Sequence, residues 1–353
     1  MDKDRLLKKI KVFVLDMDGT FYLGDRILPD SLRFIARVRE TGRRFLFFTN
    51  NSSKTPTLYL KKLRQMGVTL ERADILTSGD VCIDYLRKNH SGASVFLMGT
   101  DSLREDFSAA GVKLTGAGST TSAVDARNGS IGEGNGTATG TPEGSGSHDG
   151  DTGTGVKLTS AGSSTSAGAL TGHDERSKLH AGAGSRDRSL VNENETPAGV
   201  GRYDEENGTP DVVVCAFDTE LTYAKLERAC TFIRRGAVFL ATHEDINCPT
   251  EGGFIPDCGA MCAAISLSTG RKPKYLGKPH AETVEKILSM TGASREEIAF
   301  VGDRLYTDIA AGENNGASGI LVLSGETKEG DLAASPVKPS AVFSGLGEIA
   351  DLL

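Results

Sequence analysis

A short apolar run, Val12-Phe13-Val14-Leu15, breaks off into Asp16-Met17-Asp18-Gly19-Thr20. A continuous apolar run of this length reads as a buried strand. Its two carboxylates, spaced i and i+2, then emerge where the strand frays into a loop. In an open α/β sheet that carboxyl end is where ligands bind. Two close carboxylates repel, so a shared proton or a cation must compensate. Oxygen-only donors suit a hard ion such as Mg²⁺. One carboxylate could attack phosphorus while the other moves a proton for the leaving group. The plainer alternative is a solvated turn, because Asp and Gly are ordinary turn residues. A calcium loop of the EF-hand kind is excluded, since Thr20, Phe21 and Ile27 stand where it needs an acidic residue or Asn, a Gly and a Glu.

Strands and helices then alternate. A helix is expected from about residue 31 to 40, capped by Asp30 or Ser31 and carrying Leu32, Ile35 and Val38 on one side. Phe45-Leu46-Phe47-Phe48 is a second strand, ending in Thr49-Asn50-Asn51. Further helices are expected near 57–66, 80–89 and 102–110, with strands at Ile75-Leu76 and 94–98. Order resumes with a strand at 212–217, a helix over 221–235 and a strand at 237–242. A polar loop from His243 to Pro256 leads to a helix near 259–268, and Tyr275-Leu276 is a short strand before Gly277-Lys278-Pro279. A helix carries Val284, Ile287 and Leu288. Ile298-Ala299-Phe300-Val301 is a strand running into Gly302-Asp303-Arg304-Leu305-Tyr306-Thr307-Asp308. A strand at 319–323 and a closing helix at 347–353 complete the chain. Such alternation implies an α/β fold, a mostly parallel sheet with helices on its faces.

The stretch from about 115 to 210 is different: Gly, Ser, Thr, Ala and acidic residues, with Tyr203 as its one aromatic residue. It holds about 20 of the 43 glycines and cannot supply a packed core. Gly111-Val112-Lys113-Leu114-Thr115 recurs as Gly155-Val156-Lys157-Leu158-Thr159, and two copies point to duplication within an expanding loop rather than a solenoid. The expectation is a disordered insertion.

The 353 residues carry a net charge of -7, which favours neither nucleic acid nor an anionic membrane as partner. No apolar run approaches a membrane span, and the first residues lack a signal-peptide core, so a cytoplasmic location is expected. Six cysteines, Cys82, Cys215, Cys230, Cys248, Cys258 and Cys262, form no CxxC pair. Cys258 and Cys262 share a helix face but have no neighbouring His in sequence to complete a zinc site, so buried reduced thiols are expected.

Three long strands thus end in polar groups: Asp16 and Asp18, Thr49 and Asn50, and Asp303. In a parallel sheet those ends share one edge, and the parts fit phosphoryl transfer. The Thr49 hydroxyl and nearby backbone N–H groups can hold phosphate oxygens. Lys278 offers a compact charge. Asp303 with Asp16 can hold Mg²⁺, and Asp308 can reach the same ion directly or through water.

This pattern resembles the haloacid dehalogenase superfamily of phosphatases. Asp16-Met17-Asp18-Gly19-Thr20 is similar to its first motif, Thr49-Asn50-Asn51-Ser52 to its second, Lys278 to its third, and the run from Gly302 to Asp308 to its fourth. Phe217-Asp218 with Leu221-Thr222-Tyr223-Ala224-Lys225, Ala241-Thr242-His243-Glu244-Asp245, and Leu321-Val322-Leu323-Ser324-Gly325 resemble the subfamily IIA branch. That branch holds the NagD-like, p-nitrophenyl, phosphoglycolate and pyridoxal phosphate phosphatases.

The resemblance implies a Rossmann-like core from 1–90 and 264–353 and an α/β cap of the C2 type at 91–263, carrying the insertion at 115–210. It implies Asp16 as nucleophile through an aspartyl-phosphate, and Asp18 as the acid that later activates water. Lys278 would hold charge, and Thr49, Asn50 and Asn51 would bind phosphate. Mg²⁺ would lie on Asp16, Asp303, Asp308 and the Asp18 backbone carbonyl. The implied partners are a small phosphorylated metabolite and a second copy of the chain, through the cap. Two departures, His243 where many relatives have Asn and Pro256-Asp257-Cys258-Gly259 where many have Pro-Gly-x-Gly, fall where a cap meets substrate. His243, Asp245, Asn247 and Asp257 are therefore the candidate substrate contacts. The rival readings are a phosphotransferase or mutase of the same chemistry, and a silent scaffold acting through its acidic insertion.

Overall fold

The computed structural model describes residues 2–115, 208–250 and 252–353. The chain opens with α1 (Lys3–Lys9), β1 (Val12–Leu15), a small hairpin of β2 (Tyr22–Leu23) and β3 (Arg26–Ile27), then α2 (Ser31–Glu40), β4 (Arg44–Thr49) and α3 (Pro56–Gln65). It continues through β5 (Ile75–Thr77), α4 (Ser78–Asn89), β6 (Ser94–Met98), α5 (Asp101–Ala109) and β7 (Lys113–Leu114). After the undescribed stretch come β8 (Val212–Cys215), α6 (Tyr223–Arg234), β9 (Val238–Ala241), a hairpin of β10 (Asn247–Thr250) and β11 (Gly253–Pro256), and α7 (Cys258–Thr269). The last part runs β12 (Lys274–Tyr275), α8 (Ala281–Thr291), β13 (Ile298–Gly302), α9 (Ala310–Glu313), β14 (Ser318–Val322), α10 (Asp331–Ala334), β15 (Ala341–Phe343) and α11 (Leu346–Leu352).

Two parallel sheets result. The larger has strand order β15-β14-β13-β1-β4-β5, and the smaller β12-β9-β8-β6-β7. Strand β1 lies between β13 and β4, with Leu15 opposite Val301 and Phe47. Successive residues along these strands face opposite layers. Phe13, Leu15, Phe45 and Phe47 join one apolar cluster with Phe34 of α2 and Ile349 of α11. Val12, Val14, Leu46 and Phe48 join another, together with Val95, Leu97, Val212, Val214 and Leu240 of the smaller sheet. Both faces are buried, which is why these strands read as unbroken apolar runs. The second cluster also packs the two sheets together. The outer face of the smaller sheet, Val213, Cys215 and Phe239, is covered by α6 and α7 through Ile233, Cys262 and Ile265.

Several expectations need correction. Asp30 precedes α2 in a left-handed conformation (φ 62°) and gives no side-chain cap; its carboxylate instead meets Arg33 at 3.0 Å. Ser31 does not cap either, since its hydroxyl donates to the Phe21 carbonyl. The segment expected as a loop from 243 to 256 contains the β10–β11 hairpin, paired antiparallel from Asn247 opposite Pro256 to Thr250 opposite Gly253. The boundary expected at 263 falls inside α7, and the smaller sheet runs on to β12, which pairs with β9. The insertion expected at 115–210 lies almost wholly outside the described residues.

Candidate active site

The parallel register brings the ends of β1, β4 and β13 to one edge, and four charged side chains meet there. Lys278, supplied by the turn between β12 and α8, is buried. Its Nζ lies 2.7 Å from Asp16 Oδ1 and 2.5 Å from Asp308 Oδ1. A carboxylate oxygen from each of Asp16, Asp303 and Asp308 lies within 4.8 Å of the others. Asp303 is fixed by the Glu326 N–H, which donates to Oδ2 at 2.7 Å, and more loosely by Thr20. Glycines make room for it: a Cβ on Gly19 or Gly325 would fall 2.5 or 2.0 Å from Asp303 Oδ2. Asp308 reaches inward from the π-helical turn Leu305–Ile309, and its Oδ2 accepts the Arg304 N–H at 3.2 Å. Asp18 stands apart from this group, with its Oδ2 accepting a long bond from the Tyr22 hydroxyl at 3.4 Å.

Asn50 links this centre to the smaller sheet. Its side-chain Oδ1 accepts the Lys278 N–H at 2.9 Å, and its Nδ2 donates to the Lys278 carbonyl at 2.9 Å and toward both Asp245 oxygens. That side chain is therefore committed to holding Lys278 and Asp245, whereas the resemblance implies phosphate. The Thr49 hydroxyl accepts the Asn51 N–H at 3.1 Å and still faces the cleft. Nearby, Ser52 Oγ joins Thr242 Oγ1 at 3.0 Å and accepts the Phe217 N–H, tying the sheets together. Of the residues quoted for the subfamily resemblance, buried Asp218 pairs with Lys225 at 3.0 Å.

A cleft opens above this edge. Asp16, Asp18, Thr49, Asn50, Asn51, Lys278 and Asp308 line one side, and Asp245, Asn247, Cys248, Pro249 and Asp257 the other. Arg304 and Thr307 also line it. His243 does not. It is fully buried behind the wall, Nδ1 3.5 Å from Asp245 and Nε2 3.5 Å from Asp257, with neither nitrogen in hydrogen-bond geometry. As a substrate contact His243 is thus corrected to a buried strut between the two aspartates that do face the cleft.

Comparison with known proteins gives this arrangement its context. A haloacid dehalogenase-like hydrolase profile matches residues 13–113, and a HAD-hydrolase-like profile matches 275–349. The structure of a 4-nitrophenylphosphatase from Thermotoga maritima is 34% identical, covers 98% of each chain and has a TM-score of 0.69. The chain belongs to the haloacid dehalogenase-like hydrolases. Within them it sits in the branch of NagD and the p-nitrophenyl phosphatases, and it is a phosphoric monoester hydrolase. A putative nagD protein is 33% identical over 97% of this chain and 98% of its own, with a TM-score of 0.68. An acid sugar phosphatase from Staphylococcus aureus (strain MRSA252) is 28% identical over 98% of this chain and 99% of its own length. The two-sheet fold is the family's Rossmann-like core with an α/β cap.

The electrostatics of the hydrolase follow from burial. Desolvation pushes the Asp16 carboxyl well above the usual carboxylate range; Lys278 opposes this, while Asp308 and Asp303 add to it. Asp303 is raised to about 6 by burial and by Asp308. Asp18 is raised by burial too, with Lys62 and Tyr22 resisting. Burial alone would lower Lys278, but Asp16 and Asp308 outweigh it and hold the ammonium charged. Three carboxylates against one ammonium leave a negative surplus. All-oxygen donors with that surplus fit a hard divalent cation. Donor oxygens on an octahedral Mg²⁺ sit about 3 to 4 Å apart, so the observed spacing needs only a small inward shift. The Asp18 carboxylate is not among these donors.

Arg304, Thr307, Cys248 and Pro249 are the cleft residues that motif reading passed over. For the first two the signal was adjacency: each directly neighbours Asp303 or Asp308 in sequence. Among the described residues, no helix is long and apolar enough to cross a membrane.

Proposed function

We propose that the chain is an Mg²⁺-dependent phosphatase of small phosphomonoesters that works through an aspartyl-phosphate on Asp16. The observation that carries this is the meeting of Asp16, Lys278, Asp303 and Asp308 at one sheet edge, with Asp18 beside them at the cleft. Asp16 attacks phosphorus from the floor of the cleft. Lys278, 2.7 Å from it, orients the carboxylate and offsets charge building on the phosphoryl oxygens. The Thr49 hydroxyl binds one of those oxygens. Asp18, whose raised pKa favours the protonated form, gives its proton to the leaving alcohol and then takes one from the water that frees phosphate. Asn50 acts on Lys278 and Asp245 rather than on phosphate. When bound by Asp16, Asp303 and Asp308, Mg²⁺ would neutralise phosphoryl charge and lower the repulsion between Asp16 and its target.

The cap in this reading is the smaller sheet with α5, α6, α7 and the β10–β11 hairpin. Asp245, Asn247 and Asp257 supply hydroxyl-binding groups, while Arg304 supplies the positive rim. A polyhydroxylated phosphomonoester, such as a sugar phosphate, fits that lining. The S. aureus relative, an acid sugar phosphatase by name, supports the same class. The mildly acidic charge fits a cytoplasmic enzyme. A homodimer through the cap belongs to the reading as well. Helices α6 and α7 pack together and expose Tyr223 and Leu267, and a monomer by sedimentation would remove it.

The test is phosphate release from a panel of sugar phosphates, glycerol phosphates, phosphoglycolate, pyridoxal phosphate, nucleotides and p-nitrophenyl phosphate, with Mg²⁺ or with EDTA. Asp16→Asn should lower kcat by at least about a thousandfold, as loss of a nucleophile does, without moving the melting temperature downward. A folded enzyme inert toward the whole panel, or an active Asp16→Asn, would overturn the reading.

A further inference from the structure

Three thiols converge in the outer layer of the smaller sheet, behind the wall of the cleft. Cys215 ends β8, Cys258 opens α7, and Cys262 lies one turn later. All three are fully buried. Their sulfurs lie within 4.8 Å of one another, Cys258 and Cys262 at 4.0 Å. A metal–thiolate bond is about 2.3 Å. Three sulfurs on one ion therefore stand about 3.8 Å apart in a tetrahedral site and about 4.0 Å in a trigonal one. The Cys258–Cys262 pair already has this spacing, and the third sulfur needs to shift by no more than about 1 Å.

We propose that Cys215, Cys258 and Cys262 form a site for one soft, thiophilic metal ion of the Zn²⁺ or Cu⁺ kind. An all-sulfur donor set selects such ions over Mg²⁺, which the carboxylates at the sheet edge suit. The surroundings favour a negative sulfur at Cys258, whereas the neighbouring thiols and burial push the Cys215 and Cys262 thiols up. Cys258 is the first residue of a twelve-residue helix, and the Thr242 hydroxyl donates to its Sγ at 3.7 Å. His243, held between two aspartates, acts on the same sulfur. The Tyr275 phenol acts on Cys262. Neighbouring thiols in a core are usually plain packing, and uptake of an ion separates the two cases. The site is distinct from the phosphatase centre and does not depend on that reading. Asp257, which caps α7 and faces the cleft, immediately precedes Cys258, so a bound ion would also stiffen that wall.

The experiment uses reduced, full-length protein in excess Mg²⁺, titrated with Cd²⁺ as a spectroscopic probe. Zn²⁺ and Cu⁺ are then competed against chromophoric chelators to distinguish the two ions. The expected result is one ion per chain, with the thiolate charge-transfer band of three sulfur ligands. Cys258→Ala and Cys262→Ala should each weaken binding beyond the ~10–100-fold that loss of an outer partner costs. Cys248→Ser, at the half-buried cleft thiol, should leave it unchanged. X-ray absorption of the loaded native protein gives an independent reading, with three sulfur neighbours at about 2.3 Å expected. No uptake by the folded protein, oxygen and nitrogen neighbours only, or binding that survives both alanine variants would overturn the proposal.

Discussion

Asp303→Asn should make the metal-free hydrolase more stable while removing its Mg²⁺ response. Asp303 is 2% exposed and its pKa is raised from 3.8 to about 6. A carboxyl that holds its proton more tightly in the folded state destabilises that state once it must ionise. The cost is absent below pH 3.8, grows as pH rises, and is complete above about 6. Two pKa units correspond to about 3 kcal/mol. Asn can keep both contacts, with its oxygen accepting the Glu326 N–H and its amide facing the Thr20 hydroxyl. In EDTA at pH 7.5 the variant should therefore gain about 2–3 kcal/mol. At about 2–4 °C per kcal/mol for a chain of this size, it should melt about 5–10 °C higher. At pH 4 the two proteins should melt together.

Mg²⁺ should close that gap. At a hundred times its Kd, an ion stabilises the folded state by about 2.7 kcal/mol. The native protein should gain that and Asp303→Asn should not. Differential scanning calorimetry at the two pH values, with and without Mg²⁺, reads all of it. A variant that melts lower than the native protein in EDTA at pH 7.5 would refute the reasoning. Its carboxylate hydrogen bonds would then be worth more than its burial costs.

Other perturbations test the same geometry. Lys278→Met leaves Asp16 and Asp308 buried without their ammonium and should cost about 3–5 kcal/mol at neutral pH; denaturant unfolding measures it, and the loss should shrink as the acids protonate. Gly325→Ala puts a Cβ 2.0 Å from Asp303 Oδ2 and should raise the Mg²⁺ needed for half-maximal activity about 10–100-fold, with the substrate KM little changed. His243 is raised to about 9, despite burial that lowers it, by Cys258, Asp245 and Asp257. Its stabilising charge is complete below about 6.5 and lost as pH rises through about 9. The native protein should therefore lose stability between those values more steeply than His243→Gln, by about 3 kcal/mol.

What could be read from the sequence follows from how each feature is encoded. Strands β1, β4, β8 and β13 are buried on both faces, so a few consecutive apolar residues announce them, and their polar ends mark one edge. The centre at that edge needed only the parallel register to bring Asp16, Thr49 and Asp303 together. The β10–β11 hairpin left no such trace. Its strands pair only with each other, are mostly exposed and contain Pro249 and Pro256, so neither period nor composition reports them. Strand β12 is two residues long and gains its place only by pairing with β9, which moved the smaller sheet past the expected boundary.

His243 shows the deeper reason that cap residues were harder to place than core residues. A histidine in a polar run reads as exposed, because one position says nothing about charges arriving from elsewhere. Here Asp245 and Asp257 arrive on opposite sides of the ring, one from the same loop and one from the start of α7. Cys215, more than forty residues from Cys258 in sequence, joins its partners in the same way. Both arrangements depend on where α7 begins relative to the smaller sheet, and that is set by packing on the sheet's outer face rather than by local pattern. Most of the groups proposed to perform the chemistry are tied to strand ends and so to the chain's strongest signal. The groups that would select the substrate hang on the meeting of two sheets, where Asn50 reaches both Lys278 and Asp245. Substitution at Asp245 or Asp257 should therefore change which phosphomonoester is preferred, whereas substitution at Asp16 should change whether any is hydrolysed.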